Sequence, residues 1–253
     1  MYTTGLMGVE GKRKIGLFMS GLQHAGENLK DILSKRKSDD VVKIMSDALS
    51  RNTSKVTNII KCYCLSHSFR KFEELIGFYE KPSLKITDYF SSIYKIDHET
   101  KEMTDSERLS HHQKHSQPIL NDLHAYLGKL IDEKEVEPND SLGQAIAYTL
   151  KHWHELTQFV RIEGVPLDNN ELERSLKVAH QSRNNWLFYK TTYGAYIGSV
   201  ITSVIYTCTL SNINPLDYLI AVQENKNQII KEPSAWLPWN YQAQLNKAQQ
   251  LSA

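Results

Sequence analysis

The chain has 253 residues, of which 40% are hydrophobic and 23% are charged, which is enough apolar material for one or two domains with buried cores. Its 30 basic and 29 acidic residues give a formal net charge of +1, which excludes a global field for a polyanionic partner, so any nucleic-acid surface must be local. The three cysteines are too few and odd in number for a disulfide framework, and neither a leader peptide nor a run of about 18 apolar residues is evident, so we expect a cytoplasmic protein that does not span a membrane.

Residues 1–81 alternate between strand and helix patterns, which predicts a first segment of α/β character. From Tyr2 to Ser20, two stretches rich in Thr, Leu, Ile and Phe flank a polar turn, the pattern of a β-hairpin. Two later apolar runs, "VVKIMSD" ending at Asp47 and "IIKCYCLSH" ending at His67, are typical of strands covered on both faces. Between the hairpin and these runs, one helical stripe is formed by Ala25, Leu29, Ile32 and Leu33.

Residues 82–160 carry only helical patterns and predict an all-helical insertion. Thr104 and Glu107 form a capping box at one helix start, and Pro118 predicts the first turn of a second helix. A third helical pattern follows the turn at 137–140, with apolar side chains at Leu142, Ile146, Trp153, Leu156 and Phe159.

Residues 161–212 form a third segment, which opens with a strongly marked helix start in "VPLDNNELERSLKVAH". With Asp168 as N-cap, Glu171 lies at the third helical position, where its carboxylate can bind the amide of the cap. Glu173 lies at the margin of the buried stripe predicted at Leu172, Leu176 and Ala179.

Two interpretations of Glu173 stay open on spacing alone. It forms a surface ion pair with Lys177 one turn later, or its carboxylate is directed at the strand ends where Asp47 lies. Asp47 has a comparable alternative, because an aspartate after a strand also caps the turn or helix that follows.

The remaining sequence predicts two more helices. Ile201 to Cys208 keep helical spacing, so we predict a helix there rather than a strand. Asn214 followed by Pro215 has the pattern of a cap and a first helical position, and opens the last segment, residues 213–253. The aromatic residues of "AWLPWNY" are expected to dock the C-terminal tail.

Several motifs, in order along nearly the whole chain, resemble the insertion-sequence-66 family of transposases. They are "GLQHAGENL" from Gly21, "SDALSRN" from Ser46, "CLSHSFRKF" from Cys64, "HHQKHSQPIL" from His111, "LDNNELER" from Leu167, "RNNWLFYKTTYGA" from Arg183 and "WLPWNY" from Trp236. The resemblance implies the C-terminal part of an Asp-Asp-Glu catalytic domain. Its fold would be α/β, a ribonuclease-H-like mixed sheet lacking its first strand, with an all-helical insertion before the helix of the catalytic glutamate.

By this resemblance Asp47 matches the second active-site acid and Glu173 the third, and both are expected to bind Mg²⁺ or Mn²⁺. Clustered carboxylates are hard ligands that suit such ions, and paired ions activate a nucleophile and stabilise the leaving oxygen in phosphodiester transfer. The resemblance further implies double-stranded DNA of insertion-element ends as substrate and a bacterial cytoplasmic location. The protein partner it implies is a second copy, in a homo-oligomer, or the missing N-terminal part of the transposase. Four basic residues are expected to contact DNA phosphates, with a solvated basic face as the alternative for each: Arg174, Lys177, Arg183 and Lys190.

The sequence departs from the family pattern at its beginning. The first aspartate of the family lies on a strand before the hairpin, and no acidic residue before Asp47 ends a suitable strand. We therefore expect a truncated transposase that is a poor catalyst alone. Two hypotheses stay open: an enzyme that needs the missing N-terminal part from a separate chain, and a non-catalytic remnant that at most binds DNA or a full-length transposase.

Overall fold

The computed structural model describes residues 2–11, 13–48, 58–177 and 189–251, without the side chains of 248–251. Contacts divide the chain into two units, Met1–Ser34 together with Glu171–Ala253, and Lys35–Asn170. The α/β class predicted from the sequence is confirmed, with two small sheets and many helices in the described ranges. The ribonuclease-H-like sheet and the segment boundaries at residues 82, 161 and 213 stay predictions.

The strands and helices are, in chain order, β1 (Tyr2–Glu10), β2 (Arg13–Gly21), α1 (Ala25–Leu33), β3 (Val42–Ser46), β4 (Ile59–Tyr63), α2 (Leu65–Glu73), α3 (Glu80–Glu99), α4 (Asp105–Asp132), α5 (Ser141–Lys151), α6 (Trp153–Leu156), α7 (residues 170–177), α8 (Thr192–Leu210), α9 (Pro215–Glu224), α10 (Lys226–Lys231) and α11 (Tyr241–Leu251). Two short 3₁₀ helices, Gln158–Val160 and Pro233–Trp236, complete the described elements.

The first unit is built on the predicted hairpin, in which β1 and β2 pair antiparallel. Gly11 in the turn has a φ of 56°, a left-handed conformation that glycine adopts without strain. α1 contacts β1, where the buried Asn28 donates from Nδ2 to Oγ1 of Thr4 at 2.9 Å. The apolar stripe predicted for α1 is half-buried.

α8 packs along the edge of β2 that faces away from β1, and three of its hydroxyls substitute for a neighbouring strand. Oγ of Ser199, Oγ of Ser203 and Oγ1 of Thr207 accept from the amides of Ser20, Phe18 and Gly16 at 2.9, 2.8 and 3.1 Å. The hydroxyls are four residues apart on the helix, a rise of about 6 Å, and the amides are two residues apart on the strand, about 7 Å. The two spacings are close enough for all three hydrogen bonds to form. The edge amides of β2 are thereby satisfied, as a sheet edge requires.

The C-terminal helices close around a small aromatic core in the same unit. Asn214 caps α9 by accepting from the amide of Leu216, and Pro215 is the first helical residue, as predicted. The expectation that the aromatic tail docks is also confirmed: Trp236 and Tyr241 are buried with Cys208 of α8 and Tyr218 of α9.

The second unit contains the parallel pair β3 and β4, aligned from Val42 with Ile59 to Ser46 with Tyr63. β3 was expected to be covered on both faces, but among the described residues it pairs with β4 alone, Lys43 is exposed and its other side chains are half-buried. α2 follows β4 directly and packs on α3 and α5, and α6 packs on β4.

Between Glu80 and Val160 the described elements are all helical, in agreement with the pattern. Asp105 begins α4 behind the predicted capping box of Thr104 and Glu107. The prediction that Pro118 starts a separate helix is wrong, because α4 runs unbroken through it. A proline inside a helix costs about 3 kcal/mol. Side chains of α4 that are buried in the core after Pro118 offset that cost: Leu120, Leu123, Leu127 and Leu130.

Candidate active site

Asp47 lies at the carboxyl end of the parallel strand pair. It follows the last residue of β3, and the ladder extends one step further because the amide of Cys64 donates to the carbonyl of Ser46 at 2.9 Å. Asp47 and Cys64 therefore leave neighbouring strands at the same edge. Ligands of parallel α/β sheets bind at this edge, so the predicted position of Asp47 agrees with a functional role.

The half-buried Asp47 acts electrostatically on Tyr148, which in turn contacts a basic side chain. Burial raises the pKa of Tyr148 on α5, and the negative charge of Asp47 raises it further, with smaller contributions from Cys64 and Tyr63. Nζ of Lys71 lies 4.6 Å from the centre of the Tyr148 ring, a cation–π contact. This edge of the second unit thus combines a carboxylate, a phenol and an ammonium group.

Cys64 caps the start of α2, beside Asp47. Burial raises the pKa of its thiol, but hydrogen bonds from His67 and Ser66 and one from the backbone of Asn169 outweigh burial and bring the pKa below its usual value. Sγ of Cys64 lies 3.0 Å from Oγ of Ser66. In Cys62 burial outweighs the lowering effect of Lys43 and Arg161, and burial raises the pKa of Cys62 and of Cys208 to about 11.

Asn170, at the start of α7, is a hydrogen-bonding hub that the sequence did not single out. Its Oδ1 accepts from Oγ of Ser66 at 3.1 Å and from Nη2 of Arg70 at 3.3 Å. Its Nδ2 donates to Oδ2 of Asp168 at 2.6 Å, and its backbone amide donates to Oδ1 of Asp168 at 3.1 Å. The motif "LDNN" is thereby fastened to α2, which begins at the same strand edge as Asp47.

Asp168 has a second neighbour in this part of the unit. Burial raises the pKa of Tyr94 on α3, and the carboxylate of Asp168 raises it further, so the phenol stays neutral. The amide of Leu65 donates to the carbonyl of Leu167 at 3.0 Å, which joins the start of α2 to the residue before Asp168.

Glu173 lies on α7 in the first unit, where its side chain is half-buried. α7 packs on the hairpin: a Cβ placed on Gly5 would come within 2.6 Å of Cδ2 of Leu176 and 3.6 Å of Cδ1 of Leu172. Two members of the predicted buried stripe are therefore half-buried against β1, and the third, Ala179, lies outside the described residues. Glu173 lies between Leu172 and Leu176 on α7, so the packing of these two leucines on the hairpin fixes its position in the first unit.

Glu171 has a different role from the predicted capping box. Both of its carboxylate oxygens accept from Nζ of Lys14 on β2, at 2.6 and 2.8 Å. The ion pair links α7 to the hairpin across 157 residues of sequence, which explains why local spacing did not reveal it. Asp168 does cap the helix start, through the amide of Asn170.

Three of the four basic residues predicted to contact phosphates lie in the described part of the chain. Arg174 and Lys177 are exposed on α7, three residues apart and so on the same side of the helix. Lys190 is exposed just before the cap of α8, Thr191. Arg183 lies outside the described residues.

Ser116, His112 and Asp97 form a hydrogen-bonded series between α4 and α3 that is buried and so cannot act as a catalytic triad. Oγ of Ser116 lies 2.9 Å from Nδ1 of His112, and Nε2 of His112 lies 3.2 Å from Oδ1 of Asp97, which also accepts from Arg108 at 2.7 Å. Burial raises the pKa of Asp97, but the bonds from His112 and Arg108 outweigh it and hold the pKa below its usual value. Ser116 is 0% exposed, so no substrate reaches its hydroxyl.

The two predicted metal ligands, Asp47 and Glu173, belong to different units. Both are half-buried carboxylates, and oxygen donors of this kind fit Mg²⁺ or Mn²⁺. The Asp47 edge adds the neighbouring ammonium of Lys71, which suits an anionic ligand such as a phosphate.

Comparisons with known proteins agree with the resemblance seen in the motifs. A family model described as "Transposase IS66 family" matches residues 8–197. The uncharacterized protein y4jD of Sinorhizobium fredii (strain NBRC 101917 / NGR234) is 29% identical over 201 residues, which cover 78% of this chain and 39% of that protein. The uncharacterized protein y4hP of the same organism is 29% identical over 182 residues, which cover 67% of this chain and 33% of that protein.

The chain thus spans between a third and two fifths of the length of these two curated relatives. No solved structure matches it.

Proposed function

Because this chain belongs to the IS66 transposase family, we propose that it serves DNA transposition through metal-dependent cleavage and strand transfer at the ends of an insertion element. The observation that carries the proposal is the family match itself, which spans residues 8–197 and so includes both predicted acids, Asp47 and Glu173. The relatives are longer than this chain, so the complete reaction is part of the proposal.

In this proposal Asp47 and Glu173 are the chain's carboxylate ligands for Mg²⁺ or Mn²⁺. When bound, such ions activate the attacking oxygen and stabilise the leaving oxygen of a phosphodiester. Asp47 supports this role by its position at the carboxyl end of β3, and Glu173 by its half-buried position on a packed helix. We propose that a further carboxylate, besides Asp47 and Glu173, completes the site.

Other residues of the chain would position the DNA. Lys71 offers a cation beside Tyr148, the phenol on which Asp47 acts electrostatically, and would bind a phosphate that approaches this edge of the sheet. Arg174, Lys177 and Lys190 are exposed and would contact backbone phosphates, which supply affinity without reading the sequence. Arg183 is proposed for the same role from its sequence position alone.

The proposed fold is ribonuclease-H-like. The order of a hairpin, a helix and two parallel strands, with the acid after the first of those strands, supports this arrangement. Likeness to the ribonuclease-H-like fold does not by itself imply a function, so the proposed function depends on Asp47 and Glu173. We propose the bacterial cytoplasm, where the DNA lies, as the location.

The test is a nicking assay on supercoiled plasmid DNA that carries the ends of the element. The chain is assayed with Mg²⁺ or Mn²⁺, alone and mixed with the segment of a full-length family member that precedes the matched region. We expect metal-dependent nicking in the mixture, and loss of at least 100-fold in Glu173→Gln and in Asp47→Asn, because removal of a metal ligand disables the site. Glu163→Gln is the matched control, since Glu163 is exposed on a loop, and its activity should equal that of the unchanged chain.

A second readout separates catalysis from binding. Fluorescence anisotropy with labelled element-end DNA should show equal affinity for Glu173→Gln and the unchanged chain. DNA binding without nicking in every mixture would refute the catalytic proposal and leave the non-catalytic remnant as the function. Nicking that survives Glu173→Gln would refute the assignment of the ligands.

A further inference from the structure

His111 and His115 lie one turn apart on α4, and Glu99 at the end of α3 faces the first of them. The centres of the two imidazole rings are 4.5 Å apart. Nε2 of His111 lies 3.6 Å from Oε2 of Glu99, and 22% and 53% of these two side chains are exposed. His115 is also exposed. Two nitrogen donors and a carboxylate therefore meet at the surface of one helix pair within the second unit.

The contact between His111 and Glu99 is longer than a hydrogen bond. Nε2 of His111 is buried from solvent, yet it has no hydrogen-bond partner among the described residues. A buried polar atom without a partner is unfavourable, and protein, water or an ion usually satisfies it. The separation of 3.6 Å is close to the roughly 3–3.4 Å between two atoms that each lie about 2.1 Å from one metal ion. The geometry therefore fits a cation between the ring nitrogen and the carboxylate.

The donor set restricts which cation fits. Imidazole is a preferred ligand of Zn²⁺, Ni²⁺ and Cu²⁺, whereas Mg²⁺ and Ca²⁺ favour oxygen ligands. Histidines at positions i and i+4 of a helix present both rings to one ion, as zinc-binding helices do. The side chains of His115 and Glu99 are exposed, so they can turn to direct their donor atoms at it. Arg108, one turn before His111, is paired with Asp97 at 2.7 Å, which offsets its charge.

We propose that His111, His115 and Glu99 form a binding site for a divalent transition-metal ion, of which Zn²⁺ is the example tested below. The ion would fasten the end of α3 to the first half of α4. Three protein ligands leave a coordination position for water or a further ligand. An ion that binds the folded helix pair and not the unfolded chain stabilises the fold. The proposal does not depend on the catalytic role of Asp47 and Glu173.

The first test is isothermal titration calorimetry of Zn²⁺ into the metal-free 253-residue chain. We expect binding whose affinity falls at least about ten-fold in His115→Gln and in Glu99→Gln, because even the loss of a group that only orients a metal ligand costs about 10–100-fold. His124→Gln is the matched control: His124 is exposed on the same helix and contacts Trp153, so this variant should bind Zn²⁺ as the unchanged chain does. Absence of binding, or equal affinity in His115→Gln or Glu99→Gln, overturns the proposal.

The absorption spectrum of bound Co²⁺ identifies the ligands, because the three cysteine thiols are an alternative place for such an ion. A thiolate ligand gives an intense charge-transfer band in the near ultraviolet, whereas imidazole and carboxylate ligands give weak visible bands. We expect the visible bands without the charge-transfer band, and their loss in His115→Gln. A charge-transfer band that persists in His115→Gln would place the ion at a cysteine and overturn the proposal.

Thermal unfolding tests the link between the two helices. Zn²⁺ should raise the unfolding midpoint of the unchanged chain and of His124→Gln, and should raise that of His115→Gln and Glu99→Gln by less. Both ligand substitutions are at exposed positions, so the metal-free variants should unfold near the midpoint of the unchanged chain. An equal rise in Glu99→Gln would show that α3 supplies no ligand and would overturn the proposal.

Discussion

Thr207 gives a direct test of the hydrogen-bonded contact between α8 and β2. Its Oγ1 accepts from the amide of Gly16 at 3.1 Å and lies 3.2 Å from the carbonyl oxygen of Gly16, and both residues are buried. Thr207→Val keeps the shape of the side chain and removes the hydroxyl. The Gly16 amide then loses its partner at an edge of the sheet that water does not reach.

A buried donor left without a partner costs about 1–3 kcal/mol. Because valine fills the space of threonine, no cavity cost is added, and we expect the free energy of unfolding to fall by about 2 kcal/mol, roughly thirty-fold in the equilibrium. Thr209→Val is the control on the same helix. Thr209 is exposed and its hydroxyl donates to the carbonyl of Ile205 at 3.1 Å, so its loss should change stability by less than about 0.5 kcal/mol.

Urea unfolding followed by circular dichroism measures both variants, and hydrogen exchange of the Gly16 amide reports the contact itself. We expect faster exchange at Gly16 in Thr207→Val and unchanged exchange in Thr209→Val. Equal stabilities of the two variants, with Gly16 protected in both, would refute the conclusion that α8 hydroxyls satisfy the edge of β2.

Three further predictions concern stability. Asp97→Asn should make the free energy of unfolding less dependent on pH in the acid range. The folded pKa of Asp97 lies below its unfolded value near 4, so the carboxylate stabilises the fold above that pH, and this stabilisation is lost as the pH falls through the folded pKa. Urea midpoints at neutral pH and near pH 3 should therefore differ less in the variant than in the unchanged chain. Gly16→Ala should destabilise by about 1–3 kcal/mol, because its Cβ would lie 2.1 Å from Cδ1 of Tyr206, and thermal melts should show partial recovery when Tyr206→Ala is added. Lys14→Met should cost at most about 1 kcal/mol, since the ion pair with Glu171 is 34% and 43% exposed, and a salt-independent or larger loss in urea unfolding would contradict that estimate.

The elements that the sequence predicted well are those whose cause is local. The hairpin follows from two apolar stretches around a polar turn, and the starts of α4 and α9 follow from the capping box at Thr104 and the pair Asn214–Pro215. In each case the residues that decide the structure lie within a few positions of one another. The position of Asp47 was predictable for the same reason, since the end of an apolar run marks the end of its strand.

The parts that the sequence did not predict depend on contacts between distant residues. Pro118 continues a helix because the surrounding core holds it, although local rules favour a break. Glu171 binds Lys14 across 157 residues, and the Asn170 hub joins Ser66 across 104 residues. Periodicity correctly predicted a helix at Ile201–Cys208, yet Ile201 itself is 46% exposed, because periodicity does not show which apolar positions the fold buries.

The proposed function depends most directly on Asp47 and Glu173 as ligands of the catalytic cation. Electron paramagnetic resonance of Mn²⁺ titrated into the chain, in the presence of element-end DNA and the preceding family segment, measures this directly. We expect Asp47→Asn and Glu173→Gln each to abolish tight binding of Mn²⁺. The double variant should lose no more Mn²⁺ binding than either single variant. Retention of the full Mn²⁺ stoichiometry in both single variants would contradict the claim.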